Sequence, residues 1–422
     1  MERGAGSEEQ GAGGGEQNGS WNPKPETNHS RSSHRARSLF AFCTYHFIDD
    51  GFADSIYLLL PFIAAELHLS FSQVGLLKGV FSGAMSLLQL PMSLLGEKVG
   101  ELNVISLGAF GLAGGFLLLT WASSFLAVFL TLIAAKGTAA GQHGLGSSVL
   151  SRLFETSGRR AAMGTYNFSG DVGKVAVPFL LAVLISWMGW RPGLFVLSVG
   201  GIAAGAVLWF LAGKERAEFS APKAEARQKQ KESGWGIRDR KAFSALLTIG
   251  ILDIATRSSL LTFLPFLLLR KEIPADQVGF ALTLLFAGGA AGKFACGLLA
   301  ERLGIIPMVV STEALTTAGI LLLFWVSPTG VWYLLPFVGV VLNGTSSVLY
   351  ATVAEIISPG GRSRGYGLYY AITLGAGAVA PVVYGLVIDR LGLTISLVAV
   401  ALMASMTLPL SPYLSQTESP LP

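Results

Sequence analysis

The sequence predicts an all-α membrane protein with twelve transmembrane helices, built as two parallel six-helix repeats. Three observations predict it: long apolar runs, a one-sided placement of basic residues, and self-similarity between the two halves of the chain. Of 422 residues, 51% are hydrophobic and only 13% are charged. A soluble globular protein carries roughly 25% charged residues. Mean hydropathy is +0.57.

The apolar residues fall in runs of about 20, enough to cross roughly 30 Å of hydrocarbon at about 1.5 Å per residue. The runs lie at Leu39–Ala64, Val74–Leu95, Asn103–Ala122, Leu126–Leu150, Ala161–Ser186 and Pro192–Ala212 in the first half. In the second they lie at Phe243–Leu269, Val278–Leu299, Pro307–Val326, Val331–Val353, Gly365–Ile388 and Thr394–Tyr413. The 52 glycines fit this reading, because small residues let membrane helices approach closely. Cys43 and Cys296 fall in separate spans and read as small buried apolar residues, not as a disulfide pair. Residues 1–38, rich in Gly, Ser, Glu, Asn and Pro, read as a disordered tail without a signal-peptide core.

Loop charge gives the topology. Of the 30 Lys and Arg, 21 fall in the N-terminal tail and in loops that follow even-numbered spans. Four lie on the other side: Arg191, Arg270, Lys271 and Arg390. Cytoplasmic loops hold the basic excess, so both termini are expected in the cytoplasm and the protein in the cytoplasmic (plasma) membrane. The net charge of +4 is then a topology signal and calls for no nucleic-acid partner. The domain reading follows: tail 1–38, six-helix bundle 39–212, cytoplasmic linker 213–242, six-helix bundle 243–413 and C-terminal tail 414–422. The linker reads as a solvated segment, with contact of its basic residues to anionic lipid headgroups as the alternative.

A shift of 204 residues lays Phe47–Gly100 on Ile251–Gly304 without a gap and gives twelve identical pairs in 54 positions. Among them are Asp49/Asp253, Pro61/Pro265, Phe62/Phe266, Gln73/Gln277, Glu97/Glu301 and Gly100/Gly304. A second echo at a shift of 203 joins Gly158-Arg159 to Gly361-Arg362, Tyr166 to Tyr369 and Pro178 to Pro381. The shift carries span 1 onto span 7, an even number of crossings, so the halves enter the membrane in the same direction. Parallel repeats related by an axis along the membrane normal are a transporter architecture with its site between the halves.

After spans 2 and 8 the chain reads Leu94-Leu-Gly-Glu97-Lys98-Val-Gly100-Glu101 and Gly297-Leu-Leu-Ala-Glu301-Arg302-Leu-Gly304-Ile305. These stretches resemble the Gly-x-x-x-Asp-Arg-x-Gly-Arg-Arg/Lys loop of the major facilitator superfamily, with Glu for Asp and without the final basic pair. The resemblance extends from Leu39 to Tyr413 and implies the major facilitator fold. It makes Glu97, Lys98, Glu301 and Arg302 gating candidates. An acid there accepts bonds from a helix N-terminus or an Arg across the cytoplasmic gap, and the Gly permits a tight turn.

Within that superfamily the chain is similar to fosmidomycin-resistance-type efflux proteins. The similarity is carried by His46-Phe-Ile-Asp-Asp50, Leu69-Ser-x-x-Gln73-Val-Gly75-Leu76, Ser86-Leu-Leu-Gln89-Leu-Pro91, and Gly137-Thr138 leading to His143-Gly144 in place of His-Pro. It implies proton-driven efflux of small molecules and drug resistance. The antiporter signature of span 5 is partial: Gly170-x-x-Gly173, then Pro178.

Charges inside the predicted spans mark the chemistry, since each costs at least about 2.5 kcal/mol at the bilayer centre. In span 1, His46, Asp50 and Asp54 repeat every four residues and form one stripe. They are candidate proton-coupling groups, because desolvated carboxylates and His titrate within reach of neutral pH. Asp253 joins them in span 7, with Arg257 one turn on. Lys136 and His143 share a face of span 4, and Lys174 is three residues from Asp171 in span 5.

Spans 1, 4 and 7 line the cavity in the resembled family, so Lys136, His143, Lys174 and Arg257 are candidate substrate contacts. Lys136 has no acid on its own helix and needs a partner from span 1 or from a ligand. Basic groups on both halves suit an anionic or zwitterionic substrate, as fosmidomycin, a phosphonate, would be. Lys78, one turn into span 2, is expected to snorkel outward. No nucleophile–base set, Cys/His metal spacing or phosphate loop is present, so neither an enzyme nor a cofactor is expected. The expected partners are a small-molecule substrate, protons and membrane lipids, and the expected state is a monomer. The direction of transport stays open between efflux and proton-coupled uptake, with a non-translocating receptor as the third reading.

Overall fold

The computed structural model describes residues 28–154, 158–211, 236–358 and 362–417. In the first half the helices are Asn28–Leu67, Phe71–Val99, Glu101–Leu119, the pair Phe125–Thr138 and Gln142–Leu153, Arg159–Met188 and Trp190–Leu211. In the second they are Arg240–Arg270, Ala275–Leu303, Ile305–Trp325, Pro328–Ile356, Arg362–Leu391, and Leu393–Ser405 running into a 3-10 turn, Leu408–Thr417. These are spans 1 to 12. Eleven are long and apolar enough to cross a membrane. Span 1 is longer still, but Asp49, Asp50 and Asp54 make it less apolar.

Polar caps and glycines set the ends. Ser70 accepts a bond from Gln73 N–H while the Gln73 side chain accepts from Ser70 N–H, a reciprocal cap on span 2. Ser124, Asp239 and Ser327 cap spans 4, 7 and 10. Gly100 and Gly304 turn the chain after spans 2 and 8 at φ 98° and 91°, and Gly189 and Gly392 turn it after spans 5 and 11 at 86° and 84°. Each pair falls at matched positions of the repeat, so the two halves share the same left-handed turns as well as the same residues.

Three boundaries differ from the sequence reading. Span 1 begins at Asn28, so residues 28–38 are helical and not disordered; residues 1–27 lie outside the described residues. Span 4 is broken at residues 139–141, between Thr138 and Gln142, which puts His143 in the first turn of a new helix. Most of the linker, residues 212–235, and the tail 418–422 lie outside the described residues. The linker's last residues return to the C-terminal half, where Arg238 N–H bonds Ile356 O at 3.0 Å and Asp239 caps span 7.

The halves meet along span 2 against span 11 and span 5 against span 8. They close at the end that carries few basic loop residues. There Asp389, at the end of span 11, accepts backbone N–H bonds from Phe71 and Ser72, both at 2.9 Å. Below it the two helices touch backbone to backbone: a Cβ on Gly75 would stand 2.1 Å from Pro381 O, and one on Gly385 would stand 2.4 Å from Phe71 O. Toward the basic end the helices part. A Cβ on Gly367 or Gly375 would meet nothing within 4 Å, and Leu87 and Leu90 of span 2 are exposed.

Candidate functional site

Span 1 presents its acids in two directions. Asp49 faces span 4, where Lys136 donates to its two carboxylate oxygens at 3.2 and 3.1 Å. The two side chains are 4% and 2% exposed. The partner that Lys136 lacks on its own helix is therefore Asp49, one residue off the stripe.

His46 and Asp50 face spans 4 and 5. His46 Nδ1 lies 2.8 Å from Tyr166 O, and its ring stacks on Tyr166 at 4.1 Å. A carbonyl only accepts, so Nδ1 carries the hydrogen and Nε2 is turned to Asp50 Oδ2 at 3.3 Å. With Nδ1 committed, Nε2 and that carboxylate hydrogen-bond only when one of them carries a further proton. Lys174 Nζ lies 3.0 Å from the same oxygen. His143 Nε2 stands 3.5 Å from Asp50 and 3.8 Å from Asp49.

His46, Asp50 and His143 each offer a donor atom within 4.8 Å of the others. This trio does not suit a divalent metal. Lys174 and Lys136 already neutralise Asp50 and Asp49, and a metal ion would add uncompensated charge in a buried site.

The charges continue across the interface. Lys174 is also 3.6 Å from Asp171, and Asp171 is 2.5 Å from Lys293 of span 8. The result is a chain of alternating sign, Asp50–Lys174–Asp171–Lys293, with His46 beside its first member, from span 1 of one half to span 8 of the other. The glycines of the partial antiporter signature let span 5 lie against span 1. A Cβ on Gly170 would stand 2.6 Å from Asp50 Oδ2, and one on Gly173 would stand 2.2 Å from Phe47 O.

Asp54, one turn beyond Asp50, is half-buried. No hydrogen bond or ion pair joins it to a described residue; Lys174, Lys78 and Lys293 act on it at longer range. Lys78 does not snorkel outward. It is buried, bonded to Ser82 at 2.5 Å, and held 4.9 Å above the Tyr57 ring. The aromatic face offers the cation a partner inside the bundle, which makes the longer reach to the surface unnecessary.

In the C-terminal half, Arg257 lies 3.4 Å from Asp253 and 3.4 Å from Asn343 Oδ1 of span 10. Tyr350 and Tyr370 stack beside them at 5.1 Å. The gating candidates Glu97, Lys98, Glu301 and Arg302 are exposed at the basic end. None of the four bonds or pairs with a described residue. The acid of that loop that does find a partner is Glu101, which pairs with Arg152 of span 4. Asp49, Asp171, Lys293 and Asn343 join the candidate site without having been among the candidates named from the sequence. Asp49 appeared there as the repeat partner of Asp253 and Asp171 as the neighbour of Lys174.

Comparison with known proteins agrees with this architecture. The sequence model of the Major Facilitator Superfamily matches residues 42–269 and again 246–421. An uncharacterized MFS-type transporter, YfnC, of Bacillus subtilis (strain 168) is 24% identical, covering 84% of this chain and 87% of that protein. The fosmidomycin resistance protein of Escherichia coli (strain K12) is 24% identical, covering 87% of this chain and 91% of its own. A bacterial homolog of the human lysosomal transporter Spinster, solved in an inward-facing and occupied conformation, superposes with a TM-score of 0.74 at 16% identity over 92% of this chain and 99% of that one. The chain thus belongs to the major facilitator superfamily, a multi-pass integral membrane protein of the class that moves small solutes by secondary transport.

Proposed function

We propose that this protein is a proton-coupled antiporter of the plasma membrane that exports an anionic or zwitterionic organic compound and acts as a monomer with both termini in the cytoplasm. Asp54 carries the reading. Its acid neighbours each face a cation: Asp49 faces Lys136, Asp50 faces Lys174, Asp171 faces Lys293 and Asp253 faces Arg257. Asp54 alone among them has no direct partner among the described residues, so it is the acid free to gain and lose a proton. Its neighbours Asp50 and His46 sense that charge through Lys174. Arg257 with Asn343 in one half, and Lys174 and His143 in the other, form the substrate contacts. Lys136 is bound to Asp49 and supports the wall behind them. Glu97, Lys98, Glu301 and Arg302 act at the cytoplasmic ends and engage when that end closes. The similarity to the fosmidomycin resistance protein supports export and an anionic substrate.

The test is reconstitution in liposomes with an internal pH dye. Candidate organic anions and zwitterions are added with and without a pH gradient. A compound moved by this protein should drive proton movement in the opposite sense, and Asp54→Asn should abolish that movement while sparing exchange of compound for compound. Proton movement in the same sense as the compound would replace antiport by uptake symport. Normal gradient-driven transport in Asp54→Asn would remove Asp54 from the mechanism.

A further inference from the structure

Span 9 contributes a buried acid that neither the ion pairs nor the substrate contacts use. Glu313 is 2% exposed and Asp253 is 4% exposed, and the two carboxyl groups lie within hydrogen-bonding reach of each other. Ionised carboxylates only accept hydrogen bonds, so this contact requires a proton between them. Arg257 lies 3.4 Å from Asp253 Oδ2 and favours the ionised form there, which assigns the proton to Glu313. The Thr345 hydroxyl reaches Glu313 from span 10 and bonds Thr312 Oγ1 at 2.7 Å. The other titratable groups around the pair are Arg257 of span 7, Tyr350 of span 10 and Tyr369 of span 11.

Charge balance points the same way. Arg257, Asp253 and Glu313 with one proton form a neutral group. Without it they leave one uncompensated negative charge out of water, which is expensive. The repeat explains why this half needs a proton. Asp253 is the counterpart of Asp49, whose charge is met by Lys136. The residue 204 positions after Lys136 is Val340, so span 10 brings no lysine. Glu313 brings a proton instead.

We infer that Asp253 and Glu313 form a one-proton carboxyl pair, a second proton-binding site, located in the C-terminal half and separate from Asp54. It extends the proton-coupled reading above. A site this buried exchanges its proton only when the half that holds it opens to water, as a coupling site must.

The experiment is infrared spectroscopy of the full-length protein in liposomes, in the carbonyl region of protonated carboxylic acids, in H2O and in D2O near neutral pH. Wild type should show a protonated-carboxyl band that shifts in D2O. Glu313→Gln and Asp253→Asn should each remove it, and Asp54→Asn should leave it in place. Should Glu313→Gln fail to fold, Glu313→Asp should move the band without erasing it. No such band in wild type, or a band that survives both Glu313→Gln and Asp253→Asn, overturns the inference. A band removed only by Asp54→Asn also overturns it but leaves the reading based on Asp54 standing. A band with the expected mutant pattern, in a protein whose transport ignores the pH gradient, would refute proton coupling and not the carboxyl pair.

Discussion

Asp171 of span 5 and Lys293 of span 8 form an ion pair of 2.5 Å that joins the two halves of the transporter. Both residues lie well inside their helices, about ten or more residues from the basic end. Through Lys174 the pair is connected to Asp50 on span 1. Rocking of the halves has to stretch or re-form this link, so it is placed to report the charge state of span 1 to the interface. Asp171→Asn and Lys293→Gln should each favour the state open at the basic-poor end. The side chains are 15% and 29% exposed, so a coupling of about 1–2 kcal/mol is expected, below the 3–5 kcal/mol of a fully buried pair. That corresponds to roughly a five- to thirtyfold change in population. Spin-label distances between spans 2 and 11 measure it. Strictly additive effects in the double mutant would mean that the two charges act independently.

The closed end has its own latch. Asp389 accepts the N–H groups of Phe71 and Ser72, at the start of span 2, where the helix dipole also favours an anion. This contact joins the two halves and exists only while that end is shut. Asp389→Ala should raise labelling of a cysteine placed in the upper part of span 2 by about fivefold, matching roughly 1 kcal/mol for a solvent-exposed charge-assisted contact. Unchanged labelling would mean that helix packing alone holds the end closed.

Gly170 tests the packing around Asp50. Its Cβ would land 2.6 Å from Asp50 Oδ2 and 2.7 Å from His46 Nε2. Gly170→Ala should therefore displace the His46–Asp50–Lys174 contacts, lower thermal stability by about 1–3 kcal/mol as overpacking does, and suppress transport. Gly164→Ala, on the same helix with nothing within 4 Å, is the matched control. It should be neutral or slightly stabilising, since Ala favours a helix. Equal melting temperatures for the two variants would show that span 5 yields easily at Gly170.

What the sequence made legible follows from periodicity and composition. Span positions, the repeat and the stripe His46–Asp50–Asp54 all rest on spacing along one helix. Asp49 escaped that logic because it is one residue off the stripe and turns about 100° away, toward Lys136. The Asp171–Lys293 pair escaped it because the residues lie 122 positions apart on different halves; spacing within a helix says nothing about which helices face each other. Lys78 was misplaced for a related reason. Its depth in span 2 permits snorkelling, but the Tyr57 ring that captures it belongs to span 1. The loops after spans 2 and 8 are legible by their residues, but Glu97, Lys98, Glu301 and Arg302 pair with no described residue. Glu101–Arg152 is the contact of that loop formed here.

Lys136 provides the last prediction, because its environment separates a structural lysine from a substrate contact. Both oxygens of Asp49 lie within 3.2 Å of its ammonium, and neither side chain is more than 4% exposed. Removing one partner leaves the other as an unpaired buried charge, which costs about 3–5 kcal/mol. Lys136→Met and Asp49→Asn should each reduce folded protein strongly. His143 Nε2 lies 3.8 Å from Asp49 and is placed to meet part of the stranded charge in Lys136→Met, so that variant should be the milder of the two. The double variant removes both charges together and should recover most of the stability, because two neutral side chains of similar size need no counter-charge. Melting curves in detergent for the four proteins give the coupling energy directly. Recovery of stability together with unaltered substrate affinity in the double variant would assign the pair to the scaffold and leave anion recognition to Arg257 and Lys174. Recovery of stability with affinity lost would return Lys136 to the substrate site.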